Sequence, residues 1–279
     1  QKGIELGIPL NVLAAGDTAS WSLLAHQAGL PLRKLLGLTK PSVPTSITIG
    51  INPIGVIRER VPELLSCTRA RYLKIKLGSR EGLEHDKAIY ATAREAAAPF
   101  QVGLRIDANG GWDVQAALQM MHWLSTRDCD YIEQPLPQGQ EADLAVLYRN
   151  RPLPIFVDES CCTSQDIPGW AAHVDGCNLK LQKCGGITEA LRIIGTAKAF
   201  GLKTMIGCYG ESSISIAAGA ALGALFDHID LDSHFNLDPD PAHGVTMDMN
   251  GVVMPSDKPG LGAALLDKTT FIPLMEKSA

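Results

Sequence analysis

The stretch QVGLRIDANGGWDVQAALQMMHWLSTRDCDYIEQPL at residues 101–136 decides the fold. It opens with a β-rich run that ends in polar residues and glycine at 101–111. An amphipathic helical pattern follows at 113–127, and a second β-rich run at 130–136. Short β runs that alternate with longer helical patterns are typical of β-α-β units. The stretch therefore predicts two parallel strands joined by a helix.

The same alternation extends along the chain from residue 42 onward. β-rich runs lie at 46–51, 72–78, 101–111, 130–136, 154–160, 177–186, 202–210 and 228–235. Helical patterns lie at 79–97, 113–127, 187–201 and 211–226. Eight strands suit a closed barrel better than an open doubly wound sheet, so we predict an α/β fold of the (β/α)₈ TIM-barrel type. No GxGxxG or Walker-type loop follows the first strands, which argues against a nucleotide-binding fold.

Three regions are predicted along the chain. Residues 1–41 contain one helix at 13–29 and a proline-containing linker. Residues 42–250 form the catalytic barrel. Residues 251–279 carry PxxxPGLG turn chemistry without a further barrel unit, so we expect them to pack outside the barrel.

Composition and charge limit the classes of function. With 279 residues, 46% hydrophobic and 20% charged, the chain can bury the core of one large domain. A net charge of −5 without a Lys/Arg-rich run argues against nucleic acid or an anionic membrane as a partner, and no apolar stretch is long enough to span a bilayer. The seven cysteines include no CxxC pair, and the first residues lack the basic region of a signal peptide. We therefore expect reduced thiols in a cytoplasmic protein.

Acidic residues stand at the ends of three consecutive predicted strands. Asp107, Glu133 and Asp158 are each one β/α unit apart, and the reacting groups of such barrels sit at the C-terminal ends of strands. Three carboxylates there would repel one another unless a cation neutralised them. An all-oxygen set favours one hard divalent cation, Mg²⁺. The alternative is that each acid caps the following helix or pairs with a lysine.

Lysines lie on the strands that flank this trio. Lys74 and Lys76 share one face of the second strand because side chains alternate along a strand, so both should point into the barrel. On the sixth strand Lys180 and Lys183 compete. Three residues apart on a strand, they should face opposite sides, so only one can face inward. An inward lysine beside the acids can act as a general acid or base, or can only neutralise them.

Five motifs, in this order, resemble the muconate-lactonizing-enzyme subgroup of the enolase superfamily. They are LKIKLG, RIDANGGW, YIEQPL, FVDES and NLKLQKCGGI, and the likeness runs from about residue 13 to about residue 265. The resemblance implies three Mg²⁺ ligands, namely Asp107, Glu133 and Asp158. It also implies Lys76 and Lys180 as the two acid/base groups, and Lys74 as an electrostatic helper.

Two further stretches are similar to the dipeptide epimerases of that superfamily. They are IGCYGESS at 206–213 and DLDSHF at 230–235. The resemblance implies that Asp230 and Asp232 hold the α-ammonium group of the substrate, and the alternative is a pair of solvated loop acids.

Four residues near the motifs are assigned from their positions alone. Cys208 and Glu211 are candidates to line the substrate pocket, or else they pack in the core and cap a helix. We expect His234 to be structural or solvated. We expect Trp112 to cover the top of the barrel without binding a ligand.

The resemblance implies an isomerase. The predicted reaction is that of a Mg²⁺-dependent dipeptide epimerase, which inverts the α-carbon next to a carboxylate by two-base 1,1-proton transfer through an enolate. Inversion of a stereocentre requires a base on each face. The same machinery serves N-acylamino acid racemase, o-succinylbenzoate synthase and muconate cycloisomerase, and a non-catalytic barrel that binds metal is a third reading. The Asp-x-Asp motif favours the epimerase because the other substrates lack a free α-ammonium. The expected partner is a small molecule, a dipeptide, and a homo-oligomer stays open.

Members of the superfamily carry an α+β capping domain before the barrel, and its loops close over the site. Only about 40 residues precede the first predicted strand, and the chain does not begin with Met. We therefore expect most of the capping domain to be missing, the chain to be a fragment of a working enzyme, and the site to be open to water.

Overall fold

A computed structural model describes residues 6–266. Its centre is an eight-stranded parallel sheet in which each strand pairs with the next along the chain. The strands are β1 Ser46–Ile49, β2 Tyr72–Lys76, β3 Gly103–Asp107, β4 Cys129–Glu133, β5 Ile155–Val157, β6 Gly176–Lys180, β7 Lys203–Gly207 and β8 His228–Ile229. A parallel bridge between Thr45 and Ile229 closes the sheet into a barrel. The (β/α)₈ prediction is confirmed.

Two helices precede the first strand, and the others follow the strands along the chain. They are α1 Leu10–Gln27, α2 Leu32–Leu35, α3 Ile54–Thr68, α4 Leu83–Ala97, α5 Val114–Leu124, α6 Leu144–Asn150, α7 Ile167–Trp170, α8 Leu181–Cys184, α9 Ile187–Ala199 and α10 Ser213–Ala221. Short 3₁₀ turns lie at Ala98–Phe100, Glu141–Asp143, Ala171–His173, Gly223–Leu225 and Ser233–Asn236. The four helical patterns of the sequence correspond to α4, α5, α9 and α10. Sequence analysis did not single out α3, which contains Pro62, a residue that normally interrupts a helical pattern.

The N-terminal helix and the C-terminal segment lie outside the eight-stranded sheet and contact each other. The α1 helix packs against α8. Leu32 N–H donates to Gly260 O at 2.8 Å, which ties the start of α2 to the C-terminal segment. Two antiparallel pairs complete that segment, with β9 Ala242–His243 against β12 Ala264–Leu265 and β10 Val245–Met247 against β11 Val253–Pro255.

The strands of residues 251–266 do not belong to the eight-stranded sheet, and 267–279 lie outside the described residues, so the outer packing of 251–279 stays a prediction. The three predicted region boundaries stay a prediction. Within residues 6–266, no helix is both long enough and apolar enough to cross a membrane.

A buried arginine fills the barrel below the strand ends. The Arg105 side chain is 3% exposed, and its guanidinium lies 3.5 Å from the centre of the Tyr72 ring. It donates to Ser46 Oγ at 2.9 Å and lies 3.3 Å from His228 Nδ1. Arg105 and the side chains that it contacts fill the barrel on the N-terminal side of the strand ends. The reacting groups are therefore expected at the opposite end, where the strands terminate.

Replacing Arg105 with alanine should destabilise the fold strongly. The change leaves a cavity and removes the donor that satisfies Ser46, so we expect the free energy of unfolding to fall by about 3 kcal/mol. Chemical denaturation measures it. Arg94→Ala is the matched control because Arg94 and its partner Asp128 are 48% and 74% exposed, and exposed pairs contribute less than about 1 kcal/mol. Equal losses in the two variants would show that Arg105 does not support the core.

Candidate active site

Three acids converge at the C-terminal ends of the middle strands. Asp107 and Glu133 are the last residues of β3 and β4 and lie side by side in the sheet register. Asp158 directly follows β5. All three are fully buried, and each offers one carboxylate oxygen within 4.8 Å of those of the others. The predicted convergence of the trio is confirmed.

The donor set fits a hard divalent cation. Glu133 Oε1 accepts from Lys74 Nζ at 3.0 Å and from Asn178 Nδ2 at 2.8 Å. Its other oxygen, Oε2, is buried and accepts no hydrogen bond from the described residues, although Lys74 Nζ lies 2.9 Å away. Burial, followed by the charge of Asp107, raises the pKa of Glu133 to about 8. A buried carboxylate that resists ionisation is suited to a metal ion that supplies positive charge.

The two lysines of β2 both point inward, as predicted. Lys74 is 1% exposed, and its ammonium lies 3.0 Å from Glu133 Oε1, 2.8 Å from Asp230 Oδ2 and 3.2 Å from Asp107 Oδ2. These contacts surround the Lys74 ammonium with carboxylates. The Lys76 side chain is 25% exposed and contacts Asp107 Oδ2 at 2.6 Å. The Lys74 ammonium is thus enclosed by three carboxylates, whereas Lys76 reaches the open end of the barrel.

These ammonium groups set the ionisation of Asp107. Burial opposes loss of its proton, but Lys74 and Lys76 outweigh burial and lower its pKa. On the other side of the trio, burial likewise opposes ionisation of Asp158, and Lys183 and Lys180 lower its pKa. The two outer acids are therefore carboxylates, flanked by lysines from opposite sides of the barrel.

The prediction that only one of Lys180 and Lys183 faces the site is wrong. The strand ends at Lys180, and Lys183 lies on the four-residue helix α8, so the alternation of a strand does not apply to it. Lys180 Nζ contacts Asp158 Oδ2 at 2.5 Å, and Lys183 Nζ contacts Asp158 Oδ1 at 2.5 Å. Both ammonium groups reach the same carboxylate.

Lys180 and Lys183 differ in how many of their N–H groups are already hydrogen-bonded. Lys183 Nζ also donates to the main-chain carbonyl of Asp158 and to Asn178 O at 3.0 Å, so its three N–H groups are all engaged. Lys180 makes one such contact, and its side chain lines the cavity at the barrel mouth. Burial alone would lower the pKa of Lys180, but Asp158 raises it, which holds Lys180 as an ammonium.

The acids after β8 face the trio from across the barrel and are buried rather than solvated. Asp230 Oδ2 accepts from Lys74 at 2.8 Å, and Asp232 Oδ2 accepts the Thr48 N–H at 2.6 Å. Burial, followed by the charge of Asp230, raises the pKa of Asp232 to about 6. Cys208 Sγ lies 3.7 Å from Asp232 Oδ1. Two buried carboxylates therefore lie at the mouth of the barrel, and Asp230 already pairs with Lys74.

A cavity of about 220 Å³ joins these groups at the barrel mouth. Its lining residues are Thr48, Lys74, Lys76, Lys180, Cys208, Tyr209, Gly210, Asp230, Asp232, Ser233, Asn236 and Leu237. A larger cavity of about 1020 Å³ lies beside α1, and its described lining carries no carboxylate. The smaller cavity is therefore the candidate site, because its lining includes three lysines that contact the acid trio, namely Lys74, Lys76 and Lys180.

Glu211, Trp112 and His234, which the sequence analysis considered, are not among the residues that line the smaller cavity. Glu211 accepts the Tyr209 N–H at 3.0 Å on one oxygen and the Ser215 hydroxyl at 2.5 Å on the other, so it braces its own loop. Trp112 is buried and donates to Asp86 Oδ2 at 2.8 Å. Burial lowers the pKa of the half-buried His234, whose ring packs against Phe235.

Sequence reasoning missed Asn178, which shares the inward face of β6 with Lys180. The two residues are two positions apart on a strand, so alternation could have revealed the pair. Gly207 lies opposite Lys180 in the register, and a Cβ there would come within 2.8 Å of the Asn178 amide and 3.2 Å of Lys180 Cε. The glycine therefore makes room for both side chains.

Comparison with known proteins identifies the family. Residues 57–269 match the protein family described as Enolase C-terminal domain-like. The chain belongs to the enolase superfamily. It is 60% identical over 264 residues to a hydrophobic dipeptide epimerase from Flavobacteria bacterium (strain MS024-2A), covering 95% of this chain and 75% of that one. It is also 60% identical over 265 residues to a hydrophobic dipeptide epimerase from Roseobacter litoralis, covering 95% and 76%.

Solved structures of this superfamily show the same barrel. The dipeptide epimerase from Methylococcus capsulatus, complexed with Mg and the dipeptide L-Arg-D-Lys, superposes with a TM-score of 0.84 at 33% identity, over 94% of this chain and 74% of that one. The dipeptide epimerase from Enterococcus faecalis V583, complexed with Mg and L-Leu-L-Tyr, gives a TM-score of 0.82 at 34% identity, over 90% and 72%.

Proposed function

We propose that this chain is the barrel of a Mg²⁺-dependent dipeptide epimerase that acts on hydrophobic dipeptides. The observation that carries the proposal is one buried acid trio flanked by Lys76 from β2 and by Lys180 from β6. The names of the relatives at 60% identity support a hydrophobic dipeptide as the substrate. The buried Asp230–Asp232 pair supports a substrate with a free amino group.

In this proposal Asp107, Glu133 and Asp158 hold the metal ion. A Mg²⁺ ion held there would supply positive charge beside the substrate carboxylate. Lys74 adds a fixed positive charge beside the trio. Asp230 and Asp232 accept hydrogen bonds from the α-ammonium at the other end of the dipeptide.

Lys76 and Lys180 transfer the proton. A neutral amine at Lys76 takes the α-proton from one face, and the ammonium at Lys180 gives a proton to the opposite face of the enolate. One C–H bond breaks and one forms, so the configuration inverts and the two lysines exchange protonation states. The opposite substrate enantiomer uses them in the reverse order.

Exchange of the α-proton in D₂O tests the proposed function. The purified chain is incubated with Mg²⁺ and a library of L,L-dipeptides, and deuterium and inversion are expected at the residue that bears the carboxylate. Mg²⁺ binding without exchange would instead favour a non-catalytic barrel. Equal exchange of N-acetylated and free dipeptides would favour an N-acylamino acid racemase.

Asp232→Asn should weaken the recognition of free dipeptides far more than metal binding. Asn keeps an oxygen that can accept the Thr48 N–H, yet it loses the charge that pairs with an ammonium. We expect kcat/KM for free dipeptides to fall by about 10- to 100-fold, with the Mg²⁺ affinity from calorimetry nearly unchanged. A parallel loss of Mg²⁺ affinity would place Asp232 in the metal site instead.

The pH dependence of KM in the parent chain also tests the role of Asp232. The pKa of Asp232 is raised to about 6, so the carboxylate needed for the ammonium is lost as the pH falls through about 6. KM for free dipeptides should rise below that pH, and Asp232→Asn should remove this part of the profile. A KM that is flat between pH 5 and pH 7 in the parent chain would contradict the assignment.

A further inference from the structure

Tyr209 places an aromatic ring at the mouth of the candidate site. It follows β7, and the centre of its ring lies 4.7 Å from Lys180 Nζ. The residue is 45% exposed and lines the 220 Å³ cavity together with Lys180. Neither the sequence motifs nor the proton-transfer steps give this ring a role.

The loop that carries Tyr209 is braced on two sides. Glu211 accepts the Tyr209 N–H at 3.0 Å and is held to α10 through the Ser215 hydroxyl at 2.5 Å. Ser233, from the segment after β8, exchanges two hydrogen bonds of 3.0 Å with the main chain of Glu211. The ring is therefore presented from a fixed backbone, which is the condition for selecting one substrate shape over another.

The charges in the described lining of the cavity are already assigned. Lys74, Lys76 and Lys180 face the trio, and Asp230 and Asp232 form the ammonium site. The uncharged part of the lining contains two large side chains, Tyr209 and Leu237. A substrate group that contacts either of these side chains therefore meets an aromatic ring or an aliphatic chain instead of a charge.

The proximity of the ring to Lys180 favours the epimerised residue of the substrate as its contact. Proton transfer brings the α-carbon within about 3.5 Å of a base. The centre of the Tyr209 ring lies 4.7 Å from the Lys180 nitrogen, so the ring is a neighbour of any α-carbon that reaches this base.

We propose that Tyr209, supported by Leu237, is a specificity-determining residue that packs against the side chain of the residue being epimerised and selects an uncharged, apolar one. The inference rests on the proposed epimerase function. It extends that function by naming which end of the dipeptide carries the preference and which residue reads it.

Substrate profiles of two variants test the inference. kcat and KM are measured with Mg²⁺ for L-Ala-L-Leu, L-Ala-L-Phe, L-Ala-L-Glu and L-Ala-L-Ala in the parent chain, Tyr209→Ala and Tyr209→Phe. Tyr209→Ala should lower kcat/KM for the leucine and phenylalanine dipeptides by about 10-fold or more relative to L-Ala-L-Ala, mainly through KM. Tyr209→Phe should keep the parent preference because the ring remains.

Phe235→Ala is the matched control, since Phe235 is an exposed aromatic on the segment after β8 and is not among the cavity-lining residues. It should leave the profile unchanged. A uniform fall in kcat for all four dipeptides in Tyr209→Ala would overturn the inference and assign the ring to positioning Lys180. An unchanged profile would also overturn it. A parent chain inactive on every dipeptide would overturn the proposed function, and this inference with it.

Discussion

Lys76→Ala and Lys180→Ala are each expected to abolish epimerisation. A stereocentre cannot be inverted with a base on one face only, and a general acid or base usually contributes about 10² to 10⁴ in rate. Exchange of the α-proton can persist in each variant for the enantiomer whose proton faces the remaining lysine. The two variants should therefore retain exchange for opposite enantiomers, which chiral chromatography and NMR in D₂O can resolve.

Lys183 provides the matched control, because it is a second buried ammonium on Asp158. Its three N–H groups are engaged by Asp158 and Asn178, and it is not among the cavity-lining residues. Lys183→Met should lower exchange of both enantiomers to the same extent, since it removes a group that positions Asp158. An active Lys180→Ala beside an inactive Lys183→Met would reverse the assignment on β6. Epimerisation by both Lys76→Ala and Lys180→Ala would refute the two-base mechanism.

The acid trio could be predicted because each member stands at the end of a strand, and the ends of parallel strands meet at one rim. Alternation along β2 likewise placed Lys74 and Lys76 on the inward face. Both inferences need only local patterns in the sequence, namely the position of each strand end and the alternation of side chains along a strand. The long-range relation among the strands follows from the barrel itself.

Lys183 could not be placed in the same way. The strand stops at Lys180, and four residues of helix are too few to show a helical period. The choice between the two alternatives for Glu211 could not be made from the sequence for a related reason. Its partners include Ser233, on a different β/α unit, and nothing in the spacing of the two residues indicates that they meet.

The length of the last strand, β8, also could not be predicted from the sequence. The β-rich run at 228–235 predicts a strand, but β8 covers only His228–Ile229. The chain then leaves the extended course, and the Asp232 carboxylate accepts the Thr48 N–H from β1 at 2.6 Å. The Asp230 N–H still donates to Ile206 O of β7 at 2.9 Å, so the Asp-x-Asp pair begins directly at the rim of the barrel.

Mg²⁺ should stabilise the parent chain, and Glu133→Gln should remove that stabilisation. A ligand at about 100 times its Kd adds about 2.7 kcal/mol to the free energy of unfolding when it binds only the folded state. Glu133 is the central member of the trio, and its Oε2 is buried without a hydrogen bond from the described residues. An amide cannot supply the negative charge that a hard cation requires.

We expect Glu133→Gln to weaken Mg²⁺ binding by more than about 100-fold, since loss of a group that only supports a ligand already costs about 10- to 100-fold. Calorimetric titration and the Mg²⁺-dependent shift of the thermal midpoint measure the effect, and epimerisation should be lost with it. Glu159→Gln removes the same charge from the residue next to Asp158. Glu159 Oε1 instead lies 3.3 Å from the Asn109 amide nitrogen, so this control should keep most of the Mg²⁺ affinity. Equal losses in the two variants would mean that net negative charge, and not coordination by the trio, attracts the ion. A Glu133→Gln variant that Mg²⁺ still stabilises as strongly as the parent would exclude the trio as the metal site.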